Sequence, residues 1–294
     1  MTDCLPENFF RNLFYRFRDD RIQILPYIVS KVLSSRKLDL VSLQSENNKK
    51  MKAIQVAIIS DIHANLIALE HVLTDIRLKG ITQVYCLGDL VDFAPWGNEV
   101  ISLFKQTGIP CLLGNHDERI AFNYPVVPLV HHDAVETANR DIAIDFSRRT
   151  ISPENKKWLS NLPFELVLTF KVDDVFRRVL LVHATPSSNE EYLFEGDDKQ
   201  PIVLELVRQN MDAIVMGHTH HSYIQTKSDI LFVNCGSVGR SKEADRKATY
   251  AILTISANSI KSEVHKVEYP IDTVAKAIYD SEIPDFYADF LLKS

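Results

Sequence analysis

Apolar residues recur along this chain in two rhythms, and their alternation predicts its layout. Short apolar runs, Val56 to Ser60, Val84 to Leu87, Cys111 to Leu113, Val179 to Val182 and Ala213 to Met216, read as buried strands. Asn65 to Lys79 carries apolar residues at 66, 69, 72, 73 and 76, one face of a helix, with Gly80 as its stop. The pattern then predicts a strand over 83–87, a helix near 98–106 and a strand over 109–113. Residues 118–162 are mostly helical in pattern, broken by Pro125, Pro128 and Pro153, and are expected to form a helical lid or wall. Beyond Phe164 the character turns to strands, at 164–170, 177–182, 213–216, 222–227, 230–234, 248–256 and 262–268, with one helix near 201–209. A final amphipathic helix is predicted over about 271–292. Two facing sheets flanked by helices is the α/β architecture this order implies.

The first fifty residues differ from the rest. They contain no glycine and carry nine Lys and Arg against six Asp and Glu. Two periodic stretches, Phe9 to Phe17 and Ile22 to Leu33, predict short helices around Pro26, and Ser45 to Lys50 reads as a polar linker. Residues 1–50 are therefore an N-terminal extension: either a docked helical appendage, or outside a protein whose translation starts at Met51. Residues 51–294 form the main domain.

Composition narrows the class. Hydrophobic content of 46% and charged content of 24% are ordinary for a soluble globular protein. The formal net charge of −6 argues against a general nucleic-acid or membrane-surface binder. No apolar run approaches the roughly 20 residues of a membrane span, and Arg11 and Arg16 interrupt the one stretch resembling a leader. Of the four cysteines, Cys86, Cys111 and Cys235 lie in or at the ends of apolar runs, as buried thiols do in a reducing compartment. A cytoplasmic protein is expected. The final helix and the first fifty residues each offer a surface for a homodimer.

Five polar clusters follow the apolar runs: Asp61-Ile62-His63, Gly88-Asp89-Leu90-Val91-Asp92, Gly114-Asn115-His116-Asp117, His183 and Gly217-His218-Thr219-His220. Ligands of open α/β sheets bind at the carboxyl ends of strands, so the clusters converge. Asp61, His63, Asp89, Asn115, His183, His218 and His220 supply donors enough for two divalent cations. Mixed carboxylate and imidazole suit Mn²⁺ best among the candidates, with Fe, Zn²⁺, Ni²⁺ or Mg²⁺ as alternatives, rather than Ca²⁺. Two dications against Asp61 and Asp89 leave about two positive charges, which attract an anionic phosphate. Ions about 3.5–4 Å apart can share a water, lower its pKa and aim it at phosphorus. His116 is placed to give the leaving oxygen a proton, and Asp92 can fix its tautomer. Gly88, Gly114 and Gly217 are expected to serve the sharp turns around these side chains.

The series DxH, GDxxD, GNHD, His and GHxH resembles the calcineurin-like metallophosphoesterase superfamily, in particular its small bacterial and archaeal phosphodiesterases. The resemblance runs from Ile54 to about His220 and continues through Asn234 to Gly239 and the terminal helix. It implies a four-layered αββα sandwich. It also implies one metal held by Asp61, His63, Asp89 and His220, a second held by Asp89, Asn115, His183 and His218, and a proton-donating pair of His116 and Asp92. Protein phosphatases of the superfamily carry Arg-Gly after GDxVD, where this chain has Phe93-Ala94. A phosphate-clamping arginine is thus missing there, and Arg119 or Arg240 is the candidate to replace it. Phe93 and Trp96 can stack on a substrate ring, although rim packing accounts for them equally well, and His131 can reach a substrate from the lid.

The expected activity is hydrolysis of a small nucleotide-like phosphodiester by a metal-bridged hydroxide. Alternatives are phosphomonoester, dinucleoside-polyphosphate or phosphoprotein hydrolysis, and a scaffold role like that of the retromer subunit with this fold. That subunit lacks the proton-donating histidine, which His116 retains here.

Overall fold

The computed structural model describes residues 53–128 and 133–293, all within one compact unit, Lys50–Ser294. The expectations for residues 1–50, for a start at Met51 and for His131 fall outside the described residues. In chain order the first half holds β1 (Ile54–Ile59), α1 (Leu66–Leu78), β2 (Val84–Cys86), α2 (Gly97–Thr107), α3 (Asn115–Ala121), α4 (Ala134–Thr150) and α5 (Pro153–Leu159). The hairpin β3 (Glu165–Val172) and β4 (Val175–Val182) follows, then α6 (Gln200–Arg208), β5 (Ala213–Met216), β6 (Tyr223–Lys227) and β7 (Ile230–Asn234). The last elements are β8 (Ala248–Ile255), β9 (Ile260–Val267), α7 (Ile271–Tyr279) and α8 (Asp285–Leu292).

One sheet has the order β2-β1-β8-β9 and the other β3-β4-β5-β7-β6. Strand β1 runs parallel to β2 and antiparallel to β8, and β4, β5 and β7 are mutually parallel. Alternation along each strand sorts side chains into layers. In β4, Val179 and Leu181 face Val56, Ile58 and Leu253 of the other sheet. Their neighbours Leu180 and Val182 face outward, against Val203 and Leu206 of α6. On the far side Leu69, Val72, Ile101, Ile144 and Val274 cover the first sheet. Each such fully buried side chain contributes roughly 1.5–3 kcal/mol. The result is the expected αββα sandwich.

Helix starts follow local chemistry. The Asn65 Oδ1 accepts from the Ala68 amide at 3.1 Å and opens α1. Asp133 and Glu136 cap α4 reciprocally, each carboxylate accepting the other's amide at 2.8 and 3.2 Å. Pro153 begins α5 rather than breaking a longer helix, because a first-turn residue needs no amide hydrogen.

Two expectations are corrected. The strand over 109–113 is reduced to one bridge between Cys111 and Cys86, since Pro110 has no N–H to extend the ladder. The single terminal helix is two, α7 and α8, separated where Pro284 excludes helical backbone from the residue before it.

Backbone bonds then lock the loops beyond the parallel strands together. The Asp61 amide donates to Gly88 O at 3.0 Å, Gly217 to His183 O at 2.8 Å and Gly239 to Asp61 O at 2.9 Å. These loops carry the polar clusters.

Candidate metal centre

All seven predicted donors are buried and converge at those loops. They form two groups, Asp61 with His63 and His220, and Asp89 with His183 and His218, the ligand atoms within each lying within 4.8 Å of one another. Each carboxylate spends one oxygen outward. Asp61 Oδ2 accepts from the His218 amide at 2.9 Å, and Asp89 Oδ1 from the His116 amide at 2.8 Å. The other oxygens face inward: Asp61 Oδ1 lies 3.2 Å from His220 Nε2, and Asp89 Oδ2 lies 3.7 Å from His63 Nε2 and 3.5 Å from His183 Nε2. Asn115 Oδ1 stands 3.1 Å from His183 Nε2.

The histidine orientations are fixed from behind. His63, His183 and His220 each place Nδ1 against a backbone carbonyl, of Val91, Leu87 and Arg240, at 3.1, 3.1 and 2.7 Å. That puts the proton on Nδ1 and the lone pair on Nε2, the arrangement of a metal-ligating imidazole. Burial pushes His218 down to about 3 and His220 to about 4, and takes His63 well below its ordinary range, so all three are neutral near pH 7.

Does this donor set fit divalent cations? Three observations say that it does. With both protons held on Nδ1, the Nε2 atoms of His63 and His220 face each other at 3.1 Å, lone pair against lone pair, a repulsion that a cation between them relieves. Asp61 Oδ1 and His218 Nε2 are buried with no hydrogen-bond partner. Burial and the neighbouring Asp61 charge push Asp89 well above the carboxylate range, a cost that nearby positive charge removes.

The turns that present these groups use unusual backbone. Asp61, His63, Ala64, Asp89, Asp92, Phe93, His218 and His220 all have positive φ, between 48° and 73°. Such conformations cost on the order of 1 kcal/mol each and gather at functional sites. Gly114 and Gly217 serve differently from the expectation of sharp turns. A Cβ on Gly114 would lie 2.2 Å from Asp89 Oδ1, and one on Gly217 would lie 2.2 Å from Ser60 Oγ and 2.4 Å from Asp61 Oδ2. They are glycines because the Asp89 and Asp61 carboxylates pass where a side chain would be.

Beside the donors, His116 Nδ1 contacts Asp92 Oδ2 at 2.6 Å. Burial raises Asp92 to about 6 and drives His116 well below its ordinary range, so near neutral pH one proton sits on Nδ1, directed at the carboxylate. His116 opens on a cavity of about 250 Å³ that is also lined by Asp89, His218 and His220, while Asp92 lies buried behind it.

The remaining candidates separate. Phe93 lines the cavity and packs on His63 and His116, each ring centroid 4.9 Å away. Arg240 lines it too, whereas Arg119 lies buried beneath, its Nη2 3.4 Å from Glu190 Oε1. Trp96 precedes α2 and packs against the helix-side core instead. Sequence reasoning missed Arg140, Tyr192, Lys242 and the α8 aromatics Phe286, Tyr287 and Phe290, which line the same cavity. No motif marks them.

A family model described as the calcineurin-like phosphoesterase superfamily domain matches residues 54–258, and this chain belongs to that superfamily. The chain is similar to an uncharacterized protein of Methanocaldococcus jannaschii, 29% identical over 255 residues that cover 80% of this chain and 96% of the relative. Among solved structures, a metallophosphoesterase from Sphaerobacter thermophilus matches with a TM-score of 0.63 at 23% identity, covering 82% of this chain and 99% of that one. A hypothetical protein from Pyrococcus horikoshii matches at 0.66 and 20% identity, covering 81% and 97%. Both likenesses extend to the sandwich fold.

Proposed function

We propose that this superfamily member is a dinuclear metal-dependent phosphodiesterase acting on a small nucleotide-like phosphate ester. The observation that carries this reading is the junction, on one cavity of about 250 Å³, of inward-facing donors with the His116–Asp92 pair. Asp61, His63, Asp89 and His220 would hold one divalent cation, and Asp89, Asn115, His183 and His218 the other. The Asp89 Oδ2 position between His63 and His183 suits a bridging carboxylate. Bound there, the ions would supply Lewis acidity and a nucleophilic water at neutral pH.

The chain's own residues supply the proton. With Nδ1–H held by Asp92 Oδ2, His116 turns Nε2 toward the cavity. Bound phosphate, being anionic, raises the proton affinity of Nε2, so His116 takes up a second proton as substrate enters. It then passes that proton from Nε2 to the departing oxygen, and Asp92 balances the imidazolium charge until then. The stacked rings of Phe93 and Tyr287, 4.6 Å apart, wall the imidazole from solvent on one side.

The test is hydrolysis by metal-stripped protein refilled with Mn²⁺, on bis-(p-nitrophenyl) phosphate beside p-nitrophenyl phosphate. Metal-dependent diester turnover exceeding that of the monoester, and lost in Asp89→Asn, is the expected result. Monoester preference would replace diesterase by phosphomonoesterase. No turnover on either ester, with metal shown to be bound, would sink the enzymatic reading in favour of a scaffold.

A further inference from the structure

We propose that the cavity takes a phosphate ester bearing a second anionic group, which Arg140, Arg240 and Lys242 hold beside the metal centre. The inference rests on the phosphoesterase reading of the site and names its substrate class.

Three cationic side chains line the cavity beyond the metal ligands, against one further carboxylate, Glu136. Glu136 is already engaged, its Oε2 capping α4 at the Asp133 amide. Among the described residues no carboxylate forms an ion pair with Arg140, Arg240 or Lys242. Arg140 is buried and spends Nη1 on Val127 O at 2.9 Å. The Arg240 guanidinium lies between rings, 4.7 Å from the Phe93 centroid and 4.4 Å from that of Phe290, and its buried Nε has no hydrogen-bond partner. Lys242 Nζ stands 5.7 Å from the Tyr192 ring. Burial and the Arg240 charge pull Lys242 down to about 8.

Charge decides what such a group awaits. Cations gathered in a partly desolvated cavity cost several kcal/mol unless an anion meets them. A phosphodiester brings one negative charge, and two divalent ions on Asp61 and Asp89 already carry a surplus to receive it. Three more cations therefore exceed what a simple diester needs. The guanidiniums, held flat by rings and by Val127 O, suit bidentate recognition of phosphate or carboxylate. The volume, about 250 Å³, is below the usual ligand-pocket range of roughly 300–1,000 Å³, which favours a compact molecule over a protein side chain.

Calorimetric binding to the full-length, Mn²⁺-loaded protein tests this without turnover, at about 0.15 M ionic strength, where distant surface charges are screened. The probes are thymidine 5′-phosphate and thymidine 3′,5′-bisphosphate. The bisphosphate should bind at least about tenfold more tightly, as charge-assisted hydrogen bonds allow. That ratio, measured within each variant so that overall stability cancels, should fall to about threefold or less in Lys242→Gln and in Arg240→Gln, and partly survive in Arg240→Lys. Equal affinities in the unaltered protein, or a ratio that persists in both glutamine variants, overturns the proposal. Bisphosphate preference with no ester hydrolysis would remove the phosphodiesterase reading while this inference stands; hydrolysis without preference would do the reverse.

Discussion

The candidate metal cradle and the cavity wall beside it are built by different rules. In the cradle the backbone does the positioning. Histidine rings are held from behind by carbonyls, carboxylates by amides, and five of the seven donors accept left-handed conformations so that their side chains converge. In the wall, helices α4 and α8 have ordinary backbone, and side chains hold one another through rings and charges. A cradle of this kind tolerates no added methyl, because carboxylate and backbone atoms fill the space. A wall of this kind can exchange one side chain for another and keep its shape. On the proposed reading, chemistry is tied to the backbone of the cradle and selectivity to the side chains of the wall.

The largest effect expected on the cradle side is from His116→Ala, which removes the proposed proton donor while leaving the seven candidate metal donors in place. Turnover of bis-(p-nitrophenyl) phosphate should fall by roughly 10²- to 10⁴-fold, the range for a general acid, with metal content unchanged by elemental analysis. Asp92→Asn should cost less, since the amide still accepts from Nδ1 but no longer offsets the imidazolium charge. Unaltered turnover in His116→Ala would remove the assigned role of the pair.

Next is Gly217→Ala, which places a methyl 2.2 Å from Ser60 Oγ and 2.4 Å from Asp61 Oδ2. Overpacking of this kind costs about 1–3 kcal/mol, or roughly 2–4 °C in Tm for each kcal/mol in a domain of this size. Calorimetry should show that drop together with weakened metal binding, since Asp61 must move. Phe290→Leu is the matching change in the wall. It removes the ring beside Arg240 but keeps apolar bulk, and a cation–π contact is worth about 0.5–2 kcal/mol, more as it is desolvated. A few-fold rise in KM with Tm nearly constant is expected. A larger loss from Phe290→Leu than from Gly217→Ala would invert the proposed division.

The same division explains what was legible in the sequence. Asp61, His63, Asp89, Asn115, His183, His218 and His220 could be placed because each closes an apolar run that must be a strand, and strand ends meet in this fold. The αββα layering was legible for the same reason, through the continuous apolar runs of β4 and β5, which must be buried on both faces. Arg140 and Lys242 were not, because a lone cation on a helix or loop has no periodic signature. Phe286, Tyr287 and Phe290 fall within the stretch that the sequence predicts as one long amphipathic helix, where no motif marks them as cavity-lining; they line the cavity from the separate α8. Gly114 and Gly217 were noticed for a turning role, but neither has positive φ, and their reason is a contact across loops that no local pattern reveals.

The smallest expected effect separates the two regions by pH in metal-stripped protein. Burial and the Asp89 charge raise Asp117 to about 8, so the stability from its protonated form is complete below 3.8 and is lost as pH rises through 8. His218 and His220, depressed to about 3 and about 4, contribute stability that is present above 6.5 and lost as pH falls. Between pH 4 and 6.5 these trends oppose each other, and from 6.5 to 8 only the acids act. The wall has the opposite sign at higher pH. Lys242, depressed to about 8 from 10.5, favours the neutral amine in the fold, so its contribution grows as pH rises from 8 toward 10.5. Thermal scans of the stripped protein should therefore show Tm falling by a few degrees from pH 6.5 to 8 and flattening or recovering above. Saturating Mn²⁺ should abolish the fall, because positive charge beside Asp89 restores the carboxylates, and Lys242→Met should abolish the recovery. A Tm that climbs steadily from pH 6.5 to 8 without metal would mean that the cradle does not store the charge conflict that its geometry describes.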